Sequence, residues 1–325
     1  MKIRMGIIGC GSVTKWAHLP AIYDEDLQDL IRVVAVCDIK KKNLNQVAER
    51  YNITQRYTDY NDLLRDKNID AIDITAGHKA NYEIIPEALK AGKHIFVEKP
   101  MTGTLSEAKK IAGIVNKSKI KFQVGFMKRF YFANRMAKEL IEKGVLGEIE
   151  AVNGRFWIGA MNDLLNNGIH IFDLVQYFAG PVTFVYALSN EREKEMAGSI
   201  TISMRFKNRA IGSLFLSSTP IWNTVHERIE VVGKNGKVLV SENGRRLYLY
   251  SPDQPTQYWE PPQVLHWVTG ISIAGFAEEF KSFARSIIEN SPTKVGVESG
   301  LCSIRLKEGV ERSIEEKRSV DFKLL

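Results

Sequence analysis

From residue 1 to about 122, apolar strand-like runs alternate with segments whose apolar residues recur at helical spacing. The strand runs are Arg4–Ile8, Arg32–Cys37, Ala71–Thr75, His94–Val97 and Lys121–Gly125. Between them lie helical patterns at Lys40–Tyr51, Asp59–Asp66, Tyr82–Ala91 and Ser106–Ser118. Such repetition predicts a parallel sheet with right-handed crossovers, a doubly wound α/β layer. Gly92 after Ala91 reads as a helix C-cap, and Ser106 beside Glu107 as a helix start.

Beyond about residue 148 the texture changes. Closely spaced strand runs at Glu148–Trp157, Phe184–Ser189, Ser199–Phe206, Ala210–Ser217, His226–Gly233, Gly236–Ser241 and Arg245–Tyr250 are separated by turn residues, and Lys234-Asn235-Gly236 is a hairpin signal. This spacing predicts an open, mostly antiparallel sheet, with helices at Gly168–Phe178 and Ile273–Glu289. Residues 251–264 carry four prolines and read as a loop. The 325 residues suffice for two cores, and the change in texture divides them into a dinucleotide-binding domain (1–122) and a second α/β domain (123–325).

The first strand runs into Gly9-Cys10-Gly11-Ser12-Val13-Thr14. Gly9 and Gly11 match the first two glycines of the dinucleotide fingerprint G-x-G-x-x-G, which lets a pyrophosphate approach backbone N–H groups at a helix N-terminus. Thr14 takes the third position, where glycine would let helix and strand pack closer. Two glycines alone are a weak signal, but the context strengthens them: a strand before, a helical pattern after, and Asp38 closing the second strand. A carboxylate there binds adenosine ribose hydroxyls and repels a 2′-phosphate, favouring NAD over NADP. Lys40, Lys41 and Lys42 follow it, either as a solvated helix start or as a neutraliser of that phosphate, which leaves NADP open.

The formal net charge of +7 is spread along helices with acids between, as in Glu107-Ala108-Lys109-Lys110, which argues against a nucleic-acid footprint. No run approaches the ~20 apolar residues needed to span a bilayer. The N-terminus lacks the look of a signal peptide, so the expected location is cytoplasmic. Cys10, Cys37 and Cys302 have no metal-type spacing and read as reduced, buried small hydrophobes; no metal constellation is visible.

Glu98-Lys99-Pro100 follows the strand-like His94-Ile95-Phe96-Val97. A lysine at the C-terminal end of a parallel strand points into the crevice where these sheets bind ligands, and the proline fixes the backbone beside it, with a cis bond open to it. Together with Gly9-Cys10-Gly11, Asp38, Ala91-Gly92-Lys93-His94, Val124-Gly125-Phe126-Met127-Lys128-Arg129-Phe130, Leu164–Leu174 and Gly275-Phe276-Ala277-Glu278-Glu279-Phe280, this motif resembles the Gfo/Idh/MocA family of oxidoreductases over nearly the whole chain. The resemblance implies a Rossmann domain followed by an α/β domain whose open sheet binds substrate on one face and often dimerises through the other, giving a homodimer or homotetramer.

It also implies that Lys99 and a histidine on the first helix of the second domain, here His170, lie beside the nicotinamide. An imidazole, titrating near pH 6.5, can take a hydroxyl proton as the carbon-bound hydride leaves. A lysine serves best as a donor stabilising the developing alkoxide. His170 is therefore the expected base and Lys99 its electrostatic partner, with the reverse assignment open. The expected cofactor contacts are Gly9, Cys10, Gly11, Ser12, Val13, Asp38, Thr75, Gly77, His78, Glu98 and Lys99. On the substrate side the candidates are Asn166, Arg129, Trp157 and Asp173, with Arg129 alternatively bracing Lys99 and Trp157 alternatively core.

Two departures from the family pattern matter. Asn166 stands four residues before His170, where many members carry aspartate, and an amide can orient a hydroxyl but cannot carry a proton. Ala76-Gly77 replaces a usual Pro-Asn. The expected activity is NAD(P)-dependent oxidation of a secondary hydroxyl on a sugar, cyclitol or nucleotide-linked sugar, with Asn166 weighing against inositol. The alternatives are an NAD-dependent glycosidase on the same scaffold and a non-catalytic nucleotide- or sugar-sensing protein. Of the remaining histidines, His18, His94 and His226 read as satisfied core or capping residues, while His78 and His266, beside Trp267, are worth watching.

Overall fold

The structure, a computed structural model, describes residues 2–24, 26–157, 164–190, 198–218, 225–261 and 275–322. His266 and Trp267 lie outside them. In chain order the elements are β1 (Ile3–Ile8), a π-helix (Thr14–His18), α1 (Leu19–Ile22), β2 (Ile31–Cys37), α2 (Lys41–Arg50), β3 (Gln55–Tyr57), α3 (Tyr60–Arg65), β4 (Ala71–Ile74), α4 (His78–Lys90), β5 (His94–Glu98), α5 (Leu105–Val115) and β6 (Phe122–Gly125). Next come a 3₁₀ turn (Met127–Phe130), α6 (Phe132–Glu142), β7 (Ile149–Trp157), α7 (Leu164–Ala179), β8 (Val182–Ser189), β9 (Ser199–Phe206) and β10 (Ile211–Ser217). The chain ends with β11 (Glu227–Gly233), β12 (Val238–Glu242), β13 (Arg246–Tyr250), β14 (Gln257–Trp259), α8 (Phe276–Ile288), α9 (Val297–Glu316) and β15 (Val320–Asp321). Among the described residues no helix is long and apolar enough to cross a membrane.

The elements fall into two compact units, Met1–Met127 with Leu265–Ile304, and Lys128–Val264 with Arg305–Leu325. This division differs from a single cut at 122/123. The segment carrying α8 belongs to the first unit because Phe276, Phe280 and Phe283 join that unit's core, with the Phe280 ring stacked 4.5 Å from Phe96.

The first unit's sheet runs β3-β2-β1-β4-β5-β6 with every pairing parallel. The order reverses between β1 and β4, the point where such sheets open a ligand crevice at their carboxyl ends. All four residues of β4 are buried, as a parallel strand covered on both faces requires. Gly92 has φ +72, the left-handed C-cap its position predicts. Helix α5 starts one residue before Ser106, from a capping box in which Thr104 accepts from Glu107 N and the Glu107 side chain reaches back.

The second unit's sheet runs β14-β13-β12-β11-β7-β10-β9-β8-β15. It is antiparallel throughout except for β7 against β10. Its strands alternate buried and exposed residues, as in β9, so only one face is covered. Ile171, Phe172, Leu174 and Val175 of α7 share that core with Ile202, Leu214, Ile229 and Val231. The proline-rich run at 251–264 is not all loop: β14 pairs its Gln257–Trp259 with β13.

Candidate active site

The nucleotide side is built on the β1 turn. Gly9 has φ +106, and a Cβ there would stand 2.6 Å from Thr75 Oγ1 and 2.9 Å from the Thr75 carbonyl carbon, so only glycine fits. At Gly11 a Cβ would meet nothing within 4 Å, which leaves the open space beside the turn that a pyrophosphate needs. The hydroxyls of Thr14 and Thr75 both reach the Gly9 carbonyl at 2.8 Å and lie 2.8 Å apart. Thr14 thus ties the switch-point turns of β1 and β4 together. The wider π turn that it starts is how the chain takes a β-branched residue where the fingerprint has glycine.

Asp38, just past β2, accepts from Cys10 N at 2.8 Å and from Lys40 N at 2.7 Å, one bond per oxygen. Each oxygen keeps a lone pair for a ribose hydroxyl. Gly9, Gly11, Asp38, Lys40 and Thr75 line one cavity of about 650 Å³. Cys10 contributes its backbone alone: its thiol is fully buried, and burial, with Asp38 adding to it, pushes its pKa up to about 12. Cys37 is raised likewise, to about 12, mainly by burial. Both match the expectation of inert core thiols, whereas Cys302 is only half-buried.

The remaining cofactor-side candidates do not line that cavity. Ser12 is exposed and Val13 packs its side chain on the core. Helix α4 begins four residues earlier than the pattern at Tyr82 predicts, with Gly77 (φ +91) as its N-cap and His78 as its first residue. At the other end of the crevice, β5 delivers Glu98 and Lys99, and the Lys99–Pro100 bond is cis. The Glu98 carboxylate accepts from Lys99 N at 3.0 Å through one oxygen and meets His18 Nε2 at 3.0 Å through the other. A side chain on Gly125 would collide with it, at 2.8 Å.

The second unit carries the substrate-side candidates. Asn166, His170 and Asp173 stand at i, i+4 and i+7 of α7 and so share one stripe of the helix, which Tyr177 extends. The helix already includes Leu164 rather than opening at Gly168, which puts Asn166 on the same element as His170. His170 is 5% exposed and Asp173 1%. Arg129 grips Asp173 with both arms, Nε to Oδ2 at 2.6 Å and NH2 to Oδ1 at 2.5 Å, while its guanidinium lies 4.7 Å over the Tyr177 ring. Fork-to-fork pairing of this kind fixes orientation as well as charge. Trp157 ends β7 half-buried, its ring under the Arg155 guanidinium at 4.7 Å.

Sequence reasoning passed over one constellation. His18, which the sequence reads as a satisfied core or capping residue, is fully buried between two carboxylates, Asp73 Oδ2 on Nδ1 (2.8 Å) and Glu98 on Nε2, with Glu279 beside them. Nothing in its spacing signals this, since its hydrogen-bond partners lie 55 and 80 residues away.

Residues 3–126 match the oxidoreductase family model for an NAD-binding Rossmann fold, and residues 138–322 match the same family's C-terminal alpha/beta domain. Among characterised relatives, the myo-inositol 2-dehydrogenase of Thermotoga maritima is 26% identical over 337 residues, covering 98% of each chain. The fold is shared with a scyllo-inositol dehydrogenase from Lactobacillus casei holding NAD(H) and scyllo-inositol, at a TM-score of 0.82, 20% identity and 99% of each chain. An Agrobacterium radiobacter oxidoreductase in complex with NAD+, L-tartaric acid and magnesium gives a TM-score of 0.86 at 20% identity, over 99% of this chain and 98% of that one. The open Gly11 cradle and the carboxylate of Asp38 fit the dinucleotide that the family model describes. The chain is therefore a member of the Gfo/Idh/MocA family, an oxidoreductase with NAD as its cofactor.

Proposed function

We propose that this protein transfers hydride between NAD and a secondary hydroxyl carbon of a polyol, a sugar or cyclitol, with His170 as the base and Lys99 as its cationic partner. The observation that carries the reading is the polar stripe on α7: an amide, an imidazole and a carboxylate in register, with the carboxylate locked by Arg129. A polyol offers a row of hydroxyls, and a row of rigidly held donors and acceptors at helical spacing is what selects one of them. The relatedness to an inositol dehydrogenase favours the same class of substrate.

Gly9, Gly11 and Asp38 would hold the dinucleotide, whose nicotinamide supplies the hydride acceptor. His170 takes the hydroxyl proton as the carbon–oxygen bond gains double-bond character. The Lys99 ammonium stabilises negative charge on that oxygen, a role suited to a strand end where little backbone reorganisation is needed. Asn166 orients a neighbouring hydroxyl without titrating. The exposed face of the second sheet would be covered by another copy of the chain, giving a homo-oligomer.

The test is NADH formation with a panel that includes myo-inositol, scyllo-inositol and common aldoses. Lys99→Ala is expected to lower kcat by about 10²–10³ while NAD+ affinity stays close to wild type. Unchanged turnover in that variant would sink the role of Lys99. Sugar release from an aryl glycoside without NADH formation would replace the dehydrogenase reading with the glycosidase one.

A further inference from the structure

The corner carrying Lys99 is held by Asn81 and His18, both buried, and by the half-buried Glu98 between them and the lysine. Asn81 of α4, 1% exposed, donates from Nδ2 to the carbonyls on both sides of Lys99, Glu98 O at 3.4 Å and Pro100 O at 3.3 Å. Glu98 accepts the Lys99 amide. His18 in turn clamps Glu98 from within the core, reached by the π-helix that swings it inward.

The chain of contacts is continuous: Asp73 Oδ2 to His18 Nδ1 at 2.8 Å, His18 Nε2 to Glu98 Oε1 at 3.0 Å, and Glu98 Oε2 to Lys99 N at 3.0 Å. His18 can donate at both ring nitrogens only as an imidazolium. Around it stand Phe96, Phe276 and Phe280, with ring centroids at 5.8, 5.9 and 5.0 Å. The titratable groups facing it are Asp73 from β4, Glu98 from β5 and Glu279 from α8. Burial opposes the charge on His18, but Asp73 and Glu98 outweigh it and hold its pKa well above that of a free imidazole. Glu279 is fully buried with neither carboxylate oxygen hydrogen-bonded among the described residues; burial first, then Glu98, raises it well above the carboxylate range. Burial raises Asp73 as well, with His18 pulling it back.

We propose that His18, clamped between Asp73 and Glu98, is a positioning residue for Lys99, and that the buried chain from Asp73 through His18 to Glu98 fixes the corner from which the lysine acts. The proposal rests on the assignment of Lys99 made above. In this arrangement two protons are stored in the core: one on His18, which lets it donate in both directions, and one on Glu279, which keeps the cluster from carrying a further negative charge. The Glu98 carboxylate is then an immobile anion one residue from the working ammonium.

Two measurements test it. The first needs no activity. Nitrogen-15 histidine spectra of the whole protein should show one imidazole, absent from His18→Gln, that keeps both ring nitrogens protonated well above the pH at which a free imidazole loses its proton. A neutral His18 at pH 7, or a stoichiometric divalent cation found in the purified protein and bridging His18, Glu98 and Glu279, would overturn the proposal. The second separates positioning from mere support. His18→Gln should lower kcat on the fastest polyol of the panel by about tenfold or more, leave the NAD+ dissociation constant within about threefold, and add almost nothing in a Lys99→Met background, because coupled residues are not additive. A full multiplicative loss in that background, or an unchanged kcat in folded His18→Gln, contradicts it. Should His18→Gln fail to fold, Asp73→Asn takes its place in the same cycle and the wild-type spectrum still decides the protonation. If Lys99→Met itself keeps wild-type turnover, the role of Lys99 has failed; if it is inactive while His18→Gln is not, the positioning role alone has failed.

Discussion

Asn166 stands one helical turn before His170 on the same stripe of α7. An amide can orient a hydroxyl but cannot balance the charge of an imidazolium as a carboxylate would. Restoring the carboxylate with Asn166→Asp should raise the His170 pKa, since a nearby anion favours the imidazolium. As the proposed base, His170 must be neutral to act, so the acidic limb of the kcat/KM profile should move to higher pH, by up to about one unit. A profile that does not move would mean that residue 166 does not face the base. Both oxygens of the neighbouring Asp173 accept from Arg129, an ion pair that joins residues 44 apart and that no local spacing announces.

At the scale of elements, α8 carries a cost that the first unit bears in its core. Glu279 holds a proton in the folded state that it releases in the unfolded chain above about pH 4.3. A folded-state pKa raised in this way means that stability is fullest below the unfolded pKa and falls as pH rises toward the folded one, by up to about 1.4 kcal/mol per pH unit for one proton. His18 adds a slope of the same sign above its unfolded value. Glu279→Gln keeps the shape of the protonated acid without its titration. Urea unfolding at pH 5 and pH 8 should therefore show a smaller loss of stability in the variant than in the wild type; an equal loss would contradict the stored proton.

The elements also show what the sequence could and could not convey. Five strands of the first unit are legible because parallel strands buried on both faces are unbroken apolar runs, whereas the edge strand β3, exposed at two of its three residues, draws no such run. Helix α6 left no such trace, since the residues it buries include Ala133, Asn134 and Ala137, small or polar side chains that draw no apolar stripe. Helix α9 was obscured by Gly300 and Gly309, which sit where Cβ atoms would crowd Met101 (3.1 Å) and the Phe322 ring (2.2 Å). The start of α7 was set too late because Asn166-Asn167-Gly168 has the composition of a break, and tertiary packing overrode it: Gly168 is buried. Lys99 and Asp38 could be read from motif and strand position alone. His18, Asp73 and Glu279 could not, because their meeting depends on sheet order and on α8 returning to the first unit.

On the scale of the whole molecule, the second sheet covers one face with helix and, among the described residues, leaves the other bare. Leu188, Thr201 and Phe215 stand in one row across β8, β9 and β10, and Ile211, Tyr250 and Tyr258 are further exposed apolar residues of the same sheet. A β face of this kind is a liability in a lone chain and an interface in an assembled one. Phe215→Asp should shift the protein to a smaller species by light scattering at micromolar concentration, because a charge in the centre of a self-complementary contact meets its own copy. A variant of unchanged mass would place the interface elsewhere, and a wild type that is already monomeric would contradict self-association.

Net hydride transfer from a polyol carbon is the claim on which the rest depends, and it can be followed atom by atom. With a C-deuterated polyol and NAD+, the wild type should produce nicotinamide carrying deuterium at C4 in step with ketone formation, and Lys99→Ala and His170→Ala should produce almost none. Accumulation of oxidised product with no deuterium on the nicotinamide, or no oxidation of any polyol by a protein that binds NAD+, would contradict the account.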